Sequence, residues 1–72
     1  MAVNFHVKLE YKPDYPDAPT YQVEIFANLM GTVHLVFFRE ITIWGATDIG
    51  PIQILPLEEF ANRFKKFKAV GL

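Results

Sequence analysis

The sequence predicts an α+β domain, a four-stranded antiparallel β-meander with one C-terminal amphipathic helix packed on one face. Three observations predict it. Residues 3–11 and 20–28 alternate apolar and polar side chains with a period of two. Residues 32–44 form the most apolar run of the chain, and residues 56–68 repeat their apolar positions at intervals of three and four.

In the first strand Val3, Phe5, Val7, Leu9 and Tyr11 share one face, and Asn4, His6, Lys8 and Glu10 share the other. Lys12 to Pro19 carries three prolines, which fix φ and withhold backbone donors, so this segment reads as a stiff loop. Residues 20–28 again alternate, with Tyr21, Val23, Ile25 and Ala27 inward and Phe26 alone among large apolar residues on the polar face. Asn28-Leu29-Met30-Gly31 supplies a turn. In the third strand Val33, Leu35, Phe37, Ile41 and Ile43 continue the inward face, which leaves Val36, Phe38 and Trp44 outward. A strand apolar on both sides is central in its sheet or touches something on its second face. Its length predicts a bulge or bend at Arg39-Glu40. Gly45 to Pro51 reads as a loop and residues 52–55 as a short fourth strand.

The helix expectation rests on its ends as well as its stripe. Pro56 suits a first helical position, Glu58 and Glu59 occupy the first turn, and Lys65, Lys66 and Lys68 crowd the last. Leu57, Phe60, Ala61, Phe64 and Phe67 form the apolar stripe, Glu59 and Arg63 an i,i+4 pair, and Gly71 a stop. The expected core is Val3, Phe5, Val7, Leu9, Tyr21, Val23, Ile25, Val33, Leu35, Phe37, Ile41, Ile43, Ile54, Leu57, Phe60 and Phe64.

Composition narrows the function. The 72 residues hold one domain, residues 1–72. A formal charge of −1 describes neither a generally basic nucleic-acid binder nor a polyanionic mimic, so a charged partner must meet a local patch. With no cysteine, disulfides and thiolate zinc sites are excluded. The lack of cysteine, of a readable leader and of any apolar run near membrane-spanning length leads to an expected cytoplasmic location without membrane association.

The chemistry-bearing residues are few. His6 and His34 both fall on outward faces and would meet only if the first and third strands were neighbours; two unspaced histidines read as solvent-exposed side chains, and no metal or cofactor is expected. Serine is absent as well as cysteine, leaving Thr20, Thr32, Thr42 and Thr47 as the only aliphatic hydroxyls, so no catalytic residues are assigned and an enzyme would need a site assembled in an oligomer. Gly31, Gly45, Gly50 and Gly71 are isolated and form no phosphate loop. Arg63, Lys65, Lys66 and Lys68 form a charged border at the helix end, which the helix dipole alone would explain.

Residues 52–60, Ile-Gln-Ile-Leu-Pro-Leu-Glu-Glu-Phe, resemble the closing strand and short helical turn of SH3-like barrels, including the type II, plasmid-borne dihydrofolate reductases. In those enzymes a Val-Gln-Ile-Tyr-Pro segment lines a pore between subunits. The resemblance implies an alternative fold, a small SH3-like β-barrel ending in a helix, and would place Gln53 and Ile54 at such a pore. Leu55 stands where that family has tyrosine, and the family's Trp-x-Gly hairpin pattern is absent.

The leading functional expectation is a small, non-catalytic protein-interaction module, self-associating or binding a larger protein through an apolar and aromatic sheet face. The expected surface comprises Phe26, His34, Val36, Phe38 and Trp44, joined by Tyr15 of the proline loop. Chain size alone suggests an accessory or inhibitor protein, as phages and mobile elements carry. The alternative is a single-stranded nucleic-acid-binding module in which the sheet aromatics stack on bases.

Overall fold

Alternation along two strands and a helical stripe produce the expected α+β class, but with six strands. The structure, a computed structural model, describes the backbone of residues 2–30 and 34–70 and the side chains of residues 6–26 and 34–69. In chain order the elements are β1 (Ala2–Tyr11), β2 (Thr20–Met30), β3 (Leu35–Trp44), β4 (Ala46–Ile49), β5 (Gln53–Pro56), α1 (Leu57–Arg63) and β6 (Lys68–Val70). The expected inward residue Val33, the turn glycine Gly31 and the stop Gly71 lie outside the described residues, as do the side chains of Val3 and Phe5.

The antiparallel sheet runs β4-β3-β2-β1-β6, with β5 also on β3. Two short strands share one edge of β3: β5 pairs with Leu35–Phe38 and β4 with Ile41–Trp44. The expected irregularity at Arg39-Glu40 therefore falls on the partner edge. The β2–β3 register runs unbroken through Glu24↔Arg39 and Val23↔Glu40. On the other side β5 gives way to β4, and Gly50 N–H donates to Glu40 O at 2.8 Å across the junction. The chain then crosses the sheet through α1 and adds β6 to the far edge, against Lys8–Glu10 of β1. No pairing among the described residues joins β6 to β4 or β5, so the sheet is open and the barrel alternative is not adopted.

Two corrections follow from weak local signals. Gly45, Asp48 and Gly50-Pro51 predict a loop over 45–51, but the ladder makes Ala46–Ile49 a strand, with all four residues exposed. Gly45, at φ +75°, makes the reversal that brings it back onto β3. The helix ends at Arg63, five residues before its expected limit, and Lys68 lies in β6. Pro56 precedes the helix as its N-cap and belongs to β5; Leu57 N–H, an orphan donor of the first turn, reaches His34 O at 3.0 Å.

Register decides which face of β3 is core. Ile25 lies opposite Phe38, and Phe26 opposite Phe37. Directly opposed residues share a face, so Val36 and Phe38 lie with Val23 and Ile25 beneath the helix. Phe38 is fully buried, and its ring meets Phe60 and Phe64 edge-on at 5.1 and 5.2 Å. These six residues form the core, with Leu9, Leu55 and Phe67 packed around them. The expected phase of β3 is thus inverted. Leu35, Phe37 and Ile43 lie on the uncovered face, as does Ile54, and Leu57 is exposed at the start of the helix. Ile41 is buried, but on that second face, beside Gln22 and Ile49.

The proline loop is partly anchored. Ala18 and Pro19 are buried, whereas Asp14 to Asp17 are exposed. Asp17 takes φ 59°, a left-handed value that aspartate tolerates, and Ala18 N–H donates to Tyr15 O at 3.3 Å. Replacing Asp14-Tyr15 by Gly-Ser is expected to lower stability by less than about 1 kcal/mol in urea denaturation, because the change acts on the unfolded chain. A larger loss would mean that the loop tip is packed.

Candidate interaction surface

On the face away from α1, β1 and β2 contribute charge and β3, β4 and β5 contribute apolar side chains. The charged part is built by register: Lys8, Glu24 and Arg39 lie side by side on three adjacent strands. Arg39 Nε donates to Glu24 Oε1 at 2.8 Å, and the guanidinium completes the pairing through Nη2. Lys8 Nζ and His6 Nε2 stand 3.6 and 3.5 Å from Glu24 Oε2. Glu24 is consequently buried although no backbone layer covers it. Burial alone would raise its pKa; the Arg39 hydrogen bond and charge, with Lys8 and His6 adding, outweigh this and hold the carboxyl below its ordinary value.

Phe26 closes one side of this cluster. His6 stacks on its ring at 4.9 Å with planes 5° apart, and Arg39 lies 5.4 Å from the ring centroid. Next to it runs an apolar strip in which Ile54 opposes Phe37 and Ile49 opposes Ile41. Leu35, Ile49 and Ile54 retain 38%, 54% and 55% of their surface, and Phe37 and Ile43 are half-buried.

Of the expected surface residues, only Phe26 lies on this face. Val36 and Phe38 are core residues and cannot contact a partner without unfolding. Trp44 is highly exposed, but strand alternation puts it on the helix side, at the far end of β3. His34 is exposed just before β3, and β2 separates β1 from β3, so those two strands are not neighbours that would pair His6 with His34. Tyr15 is exposed on the loop. Of the expected basic border, Arg63 pairs with Glu40 at 3.8 Å rather than with Glu59. Lys66 lies over the Tyr11 ring at 4.9 Å, while Lys65 and Lys68 are exposed.

The sequence marks Arg39 only as a bend position and Glu24 only as a neighbour of His6; their pairing is not legible there because only the register aligns them. Among the described residues no group of three or more His, Cys, Asp or Glu side chains could hold a metal ion. No described helix is long and apolar enough to cross a membrane. No family model, curated protein or solved structure matches the chain, so the functional reading rests on its own side chains.

Proposed function

We propose that this chain is a small non-catalytic protein-interaction module that buries the uncovered apolar strip of its sheet against another protein. The observation that carries the reading is the continuity of Leu35, Phe37, Ile43, Ile49 and Ile54 on a face that α1 does not cover. Scattered apolar side chains are ordinary on a monomer, but a contiguous strip on one sheet face is the usual mark of a contact surface. The charged cluster around Glu24 borders the strip and would form the polar rim that such contacts carry.

A second copy of the chain is the favoured occupant. A net charge of −1 offers little long-range repulsion between copies, and an apolar strip flanked by paired charges can face its own symmetry mate. Sedimentation velocity of the wild type and of Ile54→Glu tests this. Ile54 is more than half exposed, so the variant should keep its circular dichroism spectrum while its dimer constant weakens at least about tenfold. A wild type that stays monomeric at about 100 μM, in the range of weak encounters, would refute self-association. A larger protein then remains as the partner only if its binding is also lost in Ile54→Glu.

A further inference from the structure

Away from the apolar strip, β1 and β2 end in a ring-lined cleft of about 530 Å3, enclosed by the proline loop and the turn after α1. Tyr11 and Tyr21 stack there with centroids 6.3 Å apart, Phe67 tilts against Tyr11 at 5.6 Å, and exposed Tyr15 stands at the rim. Two cations line the same space. Lys66 Nζ sits 4.9 Å from the Tyr11 centroid, with no carboxylate within ion-pair distance among the described residues. Arg63 is half-exposed and only loosely held by Glu40. Lys12 and Lys68 border an adjoining cleft that shares Tyr11 and Lys66 and also holds Glu10, so cations outnumber carboxylates there too. Glu40 completes the wall; it accepts one hydrogen bond from Gln53 Nε2 at 3.1 Å and keeps acceptor capacity toward the cleft.

We propose that this cleft binds a nucleotide unit, free or within a single strand. Its base lies against the tyrosine rings, its phosphate meets Lys66 and Arg63, and Glu40 accepts an N–H of the base. A nucleotide unit meets all three demands together. Stacked tyrosines favour a flat ring, since any base offers a π-face. An ammonium without a carboxylate partner among the described residues, beside a guanidinium only loosely paired at 3.8 Å, favours a phosphate, which gives charge-assisted hydrogen bonds. A carboxylate in the same wall favours a ligand that also carries an N–H donor, as a base does. Lys66 would leave the Tyr11 ring for the phosphate and uncover that ring for stacking. The site is separate from the apolar strip, so this proposal stands whether or not the chain self-associates.

An NMR titration of the full chain with AMP and with a six-nucleotide deoxyadenosine strand tests it. Ring resonances of Tyr11, Tyr21 and Phe67 should shift with both ligands. The double variant Lys66→Gln, Arg63→Gln should weaken binding at least about tenfold, and its exposed positions should leave the fold intact by circular dichroism. Equal affinity for the two ligands would identify a free nucleotide as the natural source. Tighter binding of the strand, with steep salt dependence, would identify single-stranded nucleic acid. Unmoved ring resonances at millimolar ligand would overturn the proposal, as would an unchanged affinity in the double variant. Equal shifts with poly-glutamate would also overturn it, by showing a general anion patch.

Discussion

Phe38→Ala is expected to lower the unfolding free energy by about 3–5 kcal/mol, the range for deleting a buried aromatic ring and leaving its cavity. Among the described residues Phe38 is the largest fully buried side chain, clasped between Ile25 on β2 and the edges of Phe60 and Phe64. It therefore ties the helix to the middle of the sheet. A small domain has a net stability of only about 5–10 kcal/mol, so Phe38→Ala removes much of it. Phe38→Glu places an unpaired charge in the same position and is expected to leave the chain unfolded at 25 °C. Phe37→Glu, one residue away on the half-exposed face, should fold. Urea denaturation of the alanine variant and circular dichroism of both glutamate variants check this. The reverse tolerance, glutamate accepted at position 38 and not at 37, would mean that the β2–β3 register is shifted by one residue.

That one-residue distinction marks where the sequence stops being readable. In β1 and β2 polar residues alternate with apolar ones, so the buried face of Val7, Leu9, Val23 and Ile25 follows from period alone. In Leu35-Val36-Phe37-Phe38 all four residues are apolar, and period two selects neither face. What selects is the pairing of Phe38 with Ile25, set across the connection between β2 and β3. The inversion moves Val36 and Phe38 from the expected contact surface into the core. It replaces them on the open face with Leu35, Phe37 and Ile54.

The short elements were hidden for a different reason. β4 and β6 span four and three residues, too short for a periodic pattern to show in the sequence. They exist because the edges of β3 and β1 offer unpaired backbone groups, a fact that belongs to the sheet and not to the segments. The helix stripe was legible through Phe60 and Phe64, but its end was not. Lys65 and Lys66 would continue a helix as well as they make a turn, and only the docking of Phe67 against Tyr11 redirects the chain toward β1.

Glu24→Gln is expected to destabilise the fold by about 1–3 kcal/mol at neutral pH, toward the lower end because Lys8, His6 and Arg39 can each turn toward water. The substitution keeps the volume and removes the charge, leaving Arg39 and Lys8 to repel one another beside an uncharged amide. A carboxyl held below its ordinary value of 4.5 stabilises the folded state once pH exceeds the unfolded-state value. That contribution disappears as pH falls through the lower folded-state value, because the unfolded chain takes up the proton first. The wild type should accordingly lose stability on acidification below the carboxyl's ordinary value of 4.5, and Glu24→Gln should lose less, so that the two curves draw together as the pH falls. Urea denaturation at pH 7, 5, 4 and 3 measures both slopes. Parallel curves for the two proteins would mean that the Arg39–Glu24 pair contributes nothing to the acid limb, and that Glu24 is covered only because its neighbours happen to fold over it.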